Sequence, residues 1–313
     1  MAPDVQAGQY RYDITVLRGT AKETVRVPIF RQENFGKQMA IDEKQIGEEM
    51  HTIISNRETG KIAVLAQSVS SLPLKKLLEQ YPQACREVEV VTRDMSVTYT
   101  KVCNDVFENA SQVADKFHVV RDLMETIQAV RIRYRQEILR EQRLARQKRK
   151  QSKDNQIEGE QVAECELSNG ETALEALARS RYLLFKYRND WTCSQANRAD
   201  ALFEKYPEIE KAYNLACHFR SWIKSENVGK RMGLITAELN QWFRYVDEAE
   251  IEELLNFKNT IERNILSVLN YFRFGATNAM AENLNSRIQR FIMINQGSRH
   301  REFFYFRMAN YFS

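Results

Sequence analysis

Several absences narrow this chain before its contents do. No apolar run approaches the roughly 20 residues that a membrane-spanning helix needs. The first ten residues, MAPDVQAGQY, carry neither a basic start nor an apolar stretch, so they do not read as a secretory signal. The expected compartment is the cytoplasm, with no membrane partner. Cys85, Cys103, Cys165, Cys193 and Cys217 are scattered with no CxxC pair. That spacing offers neither a zinc knuckle nor a disulfide framework. Histidine occurs only at positions 51, 118, 218 and 300, and no HExxH is present, so zinc hydrolysis has no footing. The chain also lacks GxSxG, GxxxxGK[ST] and GxGxxG, which removes serine-hydrolase, P-loop and dinucleotide-binding readings.

What is present is a globular composition, with 43% hydrophobic and 28% charged residues in 313. That length suits one large domain or two modest ones. The net charge of +4 is unevenly placed. From Arg131 to Lys150 there are nine Lys/Arg against two Glu, a local +7. From Asp154 to Glu175 there are seven acids and no Lys or Arg. The stretch from Arg287 to Arg307 is again basic, with aromatics between. Basic stripes of this kind suit a polyanion such as nucleic acid; a solvated helix face is the plainer reading.

Hydrophobic periodicity sets out the elements. YRYDITVLRG and ETVRVPIF alternate as two strands. GKQMAIDEKQI reads as a strand ending near Asp42. EEMHTIISNRETGKIAVLA reads as a hairpin turning at Glu58-Thr59-Gly60. SLPLKKLLEQYP is a helix capped by Ser71. REVEVVTRD is a strand ending at Asp94, and a short helix follows over residues 99–109. QVADKFHVV is a fifth strand, with Phe117, Val119 and Val120 as core, running into a long basic helix. Three meandering strands followed by strands alternating with helices is the order of a ribonuclease-H-like fold, an α/β class with a mixed sheet.

After Arg131 the pattern changes to apolar residues at three- and four-residue spacing over Glu171 to Phe272. The expected organisation has five parts. Residues 1–38 form a β-rich extension and 39–147 the first part of the ribonuclease-H-like core. A polar linker spans 148–170 and an all-helical insertion 171–272. Residues 273–313 supply the last core helix and a basic tail. Trp191, Trp222 and Trp242 fall in the helical part, where packing is the favoured role.

The acids carry the chemistry. In a ribonuclease-H-like sheet the first and fourth strands are neighbours, so acids at their ends, Asp42 and Asp94, come together. Two close carboxylates repel unless a cation lies between them, and Mg²⁺ prefers such oxygen ligands together with water and phosphate. Glu282 is the candidate third acid. It shares a helix face with Asn278, Asn285 and Gln289 at four-three-four spacing. The plainer readings stay open: Asp42 as a turn residue, Asp94 as the cap of MSVTY, Glu282 as an exposed helix acid.

Four stretches carry a resemblance: IDE at 41–43, VTRDMSVTY at 91–99, QVADKFHVVRDL at 112–123 and TNAMAENLNSRIQ at 277–289. In this order, with a helical gap before the last, they resemble the catalytic part of a DDE transposase of bacterial insertion sequences, ISL-three branch, over roughly residues 36–310. Ala279 stands where that branch often has glycine. The resemblance implies Asp42, Asp94 and Glu282 as catalytic triad and metal ligands, with His118 and Asn278 beside them. It implies two Mg²⁺ ions, Mn²⁺ substituting, about 3.5–4 Å apart. It also implies DNA strand cleavage followed by strand transfer, a homo-oligomer on DNA, and a place at the bacterial nucleoid. Arg131, Arg135, Arg140, Arg143, Arg146, Arg287 and Arg290, with Arg299 and Arg301 behind them, are the expected phosphate contacts. The branch usually carries a zinc finger and a helix-turn-helix ahead of this part. The span before Asp42 shows neither, so that module is expected on a separate polypeptide or lost. The competing readings are an inactive transposase-derived DNA-binding protein and a helical protein-interaction scaffold.

Overall fold

The computed structural model describes residues 12–18, 20–153, 166–275, 279–295 and 300–312. Two compact units divide the chain: residues 1–119, 228–232 and 264–313 in one, 120–227 and 233–263 in the other.

In the first unit, β1 (Tyr12–Arg18) and β2 (Ala21–Val27) pair as an antiparallel ribbon. The chain then breaks at Pro28, which has no N–H to give a ladder. ETVRVPIF is thus two strands rather than one, and its second piece, β3 (Ile29–Phe30), joins a different sheet. That sheet continues with β4 (Gln38–Ile46), β5 (Glu49–Asn56), β6 (Ile62–Ala66), β7 (Val90–Arg93) and β8 (Ser111–Ala114). Its strand order is β3-β6-β5-β4-β7-β8. β4 is antiparallel to β5 and parallel to β7, and β7 is parallel to β8. Counted from β4, the order runs third, second, first, fourth, fifth, so the mixed sheet is consistent with a ribonuclease-H-like core. The β5–β6 hairpin turns where expected. Asn56 Oδ1 accepts from the N–H groups of Glu58 and Thr59 at 2.8 and 3.1 Å. Gly60 supplies the positive φ of 69°.

Side-chain alternation sorts the sheet into two faces. Ile41 and Ile54 join one cluster with Leu74 and Leu77 of α1 (Ser71–Leu78) and Tyr99 and Val102 of α3 (Val97–Val106). Ser70, rather than Ser71, holds the N-cap position of α1. Ile46 and Ile53 join the other cluster with Leu284, Ile288 and Phe291 of α11 (Ala279–Ile294) and Tyr305 and Met308 of α12 (Arg301–Tyr311). Each fully buried aliphatic side chain adds about 1.5–3 kcal/mol relative to exposure. β6 is buried at every position, as a strand covered on both faces must be. The remaining helix between strands, α2 (Pro82–Arg86), leads into β7.

QVADKFHVV divides differently from expectation. β8 stops at Ala114, and α4 (Lys116–Lys153) has already begun. Asp115 causes the switch: its Oδ1 accepts from Phe117 N at 2.8 Å, the short side-chain turn that starts a helix. Val119 is buried as expected, but Phe117 is 56% exposed, since residues two apart share a face only in a strand.

The second unit takes most of α4 and then α5 (Ala173–Arg179), α6 (Cys193–Lys205), α7 (Pro207–Trp222), α8 (Met232–Ala249) and α9 (Glu252–Arg263). Capping boxes at Thr172 and Thr192 start α5 and α6, and Pro207 stands in the first turn of α7. Phe219, Trp222, Trp242 and Phe257 form an aromatic core with ring centroids 4.8–6.1 Å apart. The indole N–H groups of Trp191, Trp222 and Trp242 donate to the carbonyls of Leu183, Ile235 and Leu215, so all three tryptophans pack. α10 (Ile265–Phe274), periodic like its neighbours, falls with the sheet unit, where Asn270 Nδ2 donates to Gln112 O at 2.9 Å. Of the expected linker, residues 154–165 lie outside the described residues. Among the described residues, no helix is long and apolar enough to cross a membrane, and four of the cysteines are unpaired.

Candidate active site

β4 does not end at Asp42. It runs on to Ile46, with Asp42 opposite Ile53 of β5. What ends there is the other ladder. The parallel register of β4 with β7 pairs Ile41 with Arg93 and stops. Asp42 and Asp94 are the next residue of each chain, beside each other where neighbouring strands lie about 4.8 Å apart. β8, parallel to β7, brings its own end, Asp115, to the same edge, where Asp115 N donates to Arg93 O at 2.7 Å.

Asp42 lies on the face that α11 covers. Its Oδ2 accepts from Asn285 Nδ2 at 2.7 Å, and its Oδ1 accepts from Glu43 N at 2.8 Å. His118, in the first turn of α4, places Nε2 3.8 Å from Asp42 Oδ1 and Nδ1 3.1 Å from Asp115 Oδ2. It is therefore a helix residue, not the strand residue expected, though it does stand beside Asp42. Asp94 Oδ1 accepts from Ser96 N at 2.9 Å, while Ser96 itself caps α3 through Tyr99 N. Asp94 thus orders the start of α3 without being its N-cap.

Three partners were not legible beforehand. Glu43, the next residue after Asp42, turns to the opposite face and meets Tyr99. Burial pushes its carboxyl up, the Tyr99 hydroxyl pulls it down, and the charges of Asp94 and Asp42 push it up again. The tandem acids of IDE were the signal for it. Arg93 is 2% exposed and donates to Gln112 Oε1 at 2.7 Å and to Asp94 O at 2.6 Å. Burial lowers its guanidinium below the usual value. It is a fixed positive charge behind the acids. Asn285 could be placed on a polar helix face from spacing, but its target could not.

Asn278 and Arg299, and the side chain of Glu282, lie outside the described residues. Residue 282 belongs to α11, three positions before Asn285. Among the described residues, no group of three His, Cys, Asp or Glu side chains is close enough to hold a metal ion. Asp42 and Asp94 are nonetheless hard oxygen donors at one sheet edge, which is the chemistry a divalent cation takes.

The arginines separate into classes. Arg131 is 6% exposed; its Nε donates to Gln128 Oε1 at 2.7 Å and its Nη1 to Leu177 O at 2.5 Å. Its charge is committed within the helical unit, which corrects its placement among the phosphate contacts. Arg133, also in the stripe, pairs with Glu208 and Glu253. Arg135 is half-buried, while Arg140, Arg143 and Arg146 are exposed along α4. Arg290 is exposed on α11, and Arg287 stacks over Tyr311 and Phe312 at 5.6 and 5.2 Å. Arg301 pairs with Glu49.

Comparison with known proteins agrees with this geometry. No curated protein matches the chain. A family model described as transposase, of the DDE type and ISL3 branch, matches residues 39–308. That span starts within the strand bearing Asp42 and ends within α12, taking in the sheet edge and the whole helical unit. An enzyme that cuts DNA and transfers the cut strand is what such a match signifies, and the chain belongs to the ISL3 family of DDE transposases.

Proposed function

We propose that Asp42, Asp94 and Glu282 carry the cleavage and joining steps of this insertion-sequence transposase. The observation that most supports the reading is the β4–β7 register, which runs out at Ile41 and Arg93 with an aspartate next on each strand. Two carboxylates so placed hold a shared proton or a cation. Glu282 enters through its position in α11, the helix that also sends Asn285 to Asp42. The oxygen donors of this set fit Mg²⁺, with Mn²⁺ as substitute, and two ions are proposed. When bound, they would stabilise the charge on the attacking and leaving oxygens.

The chain's own residues do the positioning. Asn285 and Glu43 N hold the two oxygens of Asp42, and Ser96 N holds one of Asp94. Arg93 sets a positive charge behind them. Arg140, Arg143 and Arg146, with Arg135, Arg287 and Arg290, would bind phosphates, which position a duplex without reading its sequence. Reading sequence at the element's ends would need base-edge contacts beyond these phosphate contacts. The helical unit is read as the insertion that this branch carries before its glutamate. Joining two element ends to one target calls for at least two copies on the DNA, at the bacterial nucleoid.

The test uses Asp42→Asn, Asp94→Asn and Glu282→Gln, each checked for folding by circular dichroism. Each is expected to lose roughly 10³-fold in strand cleavage, about 4 kcal/mol of barrier, at unchanged DNA affinity. Calorimetric Mn²⁺ binding should vanish in Asp42→Asn. Full cleavage by any one variant would remove that residue from the site.

A further inference from the structure

The parallel ladders of β4, β7 and β8 run out at one edge of the sheet, and only the first two strands contribute to the proposed triad. The third delivers Asp115 and, one helical turn later, His118. Asp115 uses its two oxygens differently. Oδ1 accepts from Phe117 N at 2.8 Å, which is sufficient to start α4. Oδ2 faces His118 Nδ1 at 3.1 Å. A carboxylate oxygen only accepts, so Nδ1 is the protonated nitrogen of the ring and Nε2 presents its lone pair in the neutral imidazole. Nε2 is the nitrogen turned toward Asp42, 3.8 Å from Oδ1. That separation exceeds a hydrogen bond, and an oxygen about 2.8 Å from both atoms fits at the apex of the triangle they make. The side chains of His118, Asp115 and Asp42 are 13%, 14% and 25% exposed, so the ring is held firmly and remains within reach of a small group arriving at the edge.

We propose that His118, oriented by Asp115, is a further catalytic residue of this transposase. Its Nε2 accepts a hydrogen bond from the attacking hydroxyl, that of water in cleavage and that of the freed 3′ end in strand transfer, and so aligns the nucleophile beside Asp42. The inference rests on the reading of Asp42 as a catalytic acid. Asp115 is the positioning residue. Replacing it by Asn would present an N–H to Nδ1, reverse the tautomer and turn Nε2 into a donor. Correct alignment of a nucleophile is the kind of effect in which a displacement of an ångström costs on the order of a hundredfold in rate.

The experiment compares His118→Asn, His118→Gln and Asp115→Asn with Asp42→Asn in the full chain. Single-turnover rates are measured on a duplex carrying the element's end and on a pre-nicked duplex with an exposed 3′-hydroxyl. DNA affinity, Mn²⁺ binding and melting temperature are measured alongside. The expected result is a roughly hundredfold fall in rate for His118→Asn and Asp115→Asn on both substrates, with affinity, Mn²⁺ binding and melting temperature unchanged. His118→Gln, whose carboxamide oxygen can stand near the Nε2 position, should recover at least tenfold of that loss. A wild-type rate in His118→Asn while Asp42→Asn is inactive overturns the proposal alone. So does loss of Mn²⁺ binding in His118→Asn, which would make the ring a metal ligand, or an equal loss in both His118 variants with a lowered melting temperature, which would make it structural. Activity in Asp42→Asn would instead overturn the reading beneath it.

Discussion

The helical unit and the sheet edge treat charge in opposite ways. In the helical unit, two partly buried clusters match acids with bases. Glu171 sits between Arg179 and Arg198 at 2.9 and 2.7 Å, and Arg133 between Glu208 and Glu253. The guanidinium of Arg198 first, then that of Arg179, holds the Glu171 carboxyl down at about 2. At the sheet edge, Asp42, Glu43, Asp94 and Asp115 gather near His118 and the buried guanidinium of Arg93, with Arg57 close enough to Asp115 to feel its charge. There Glu43 is pushed up by burial and by its acidic neighbours. Matched clusters lower the free energy of the fold; an excess of one sign raises it, and the chain keeps such an excess where a cation and a substrate can supply the balance.

The sharpest way to break this comparison is Asp94→Asn. Cleavage should fall roughly 10³-fold, about 4 kcal/mol, while the melting temperature stays level or rises because like-charge repulsion is relieved. A fall in melting temperature of more than a few degrees would show the edge to be matched after all. Arg131→Met is the opposite case. It leaves the carbonyl of Leu177 and the amide of Gln128 without their donor, so urea unfolding should show a loss of about 1–3 kcal/mol, with DNA affinity untouched. Reversal of Arg140, Arg143 and Arg146 to Glu should do the reverse: no change in stability, weaker DNA binding whatever the sequence, and a salt dependence flatter by about 0.9 for each phosphate no longer neutralised. An unchanged slope would assign that face to solvent. The smallest effect concerns Glu171. Its folded pKa lies below the unfolded value of 4.5, so its contribution is complete above about pH 4.5 and is lost as pH falls toward 2. Glu171→Gln should therefore narrow the stability difference between pH 6 and pH 3, by about 1 kcal/mol once solvent screening is allowed for.

Much of the fold was legible from local pattern. Alternation marked β4, β5 and β7, and three-and-four spacing marked the helices of the second unit. Asp42 and Asp94 stood out because acids beside buried apolar runs are costly without a purpose. QVADKFHVV misled because its alternation is equally compatible with a strand, and a single side-chain bond from Asp115 to Phe117 N decided for helix. Arg131 looked like its neighbours in the stripe; only the approach of Gln128 and the Leu177 carbonyl withdraws it from the surface.

The sequence by itself determined most of the elements and the family, and singled out two aspartates, because helix and strand periods and short motifs are properties of neighbouring residues. The tertiary structure alone decided that Asp42 lies inside a strand whose parallel partner has run out, that Asn285 reaches it from 243 positions away, and that Glu43 turns from it to Tyr99. It alone decided which arginines remain available to phosphate. These follow from register, facing and burial, which depend on what lies across the sheet or the helix rather than along the chain.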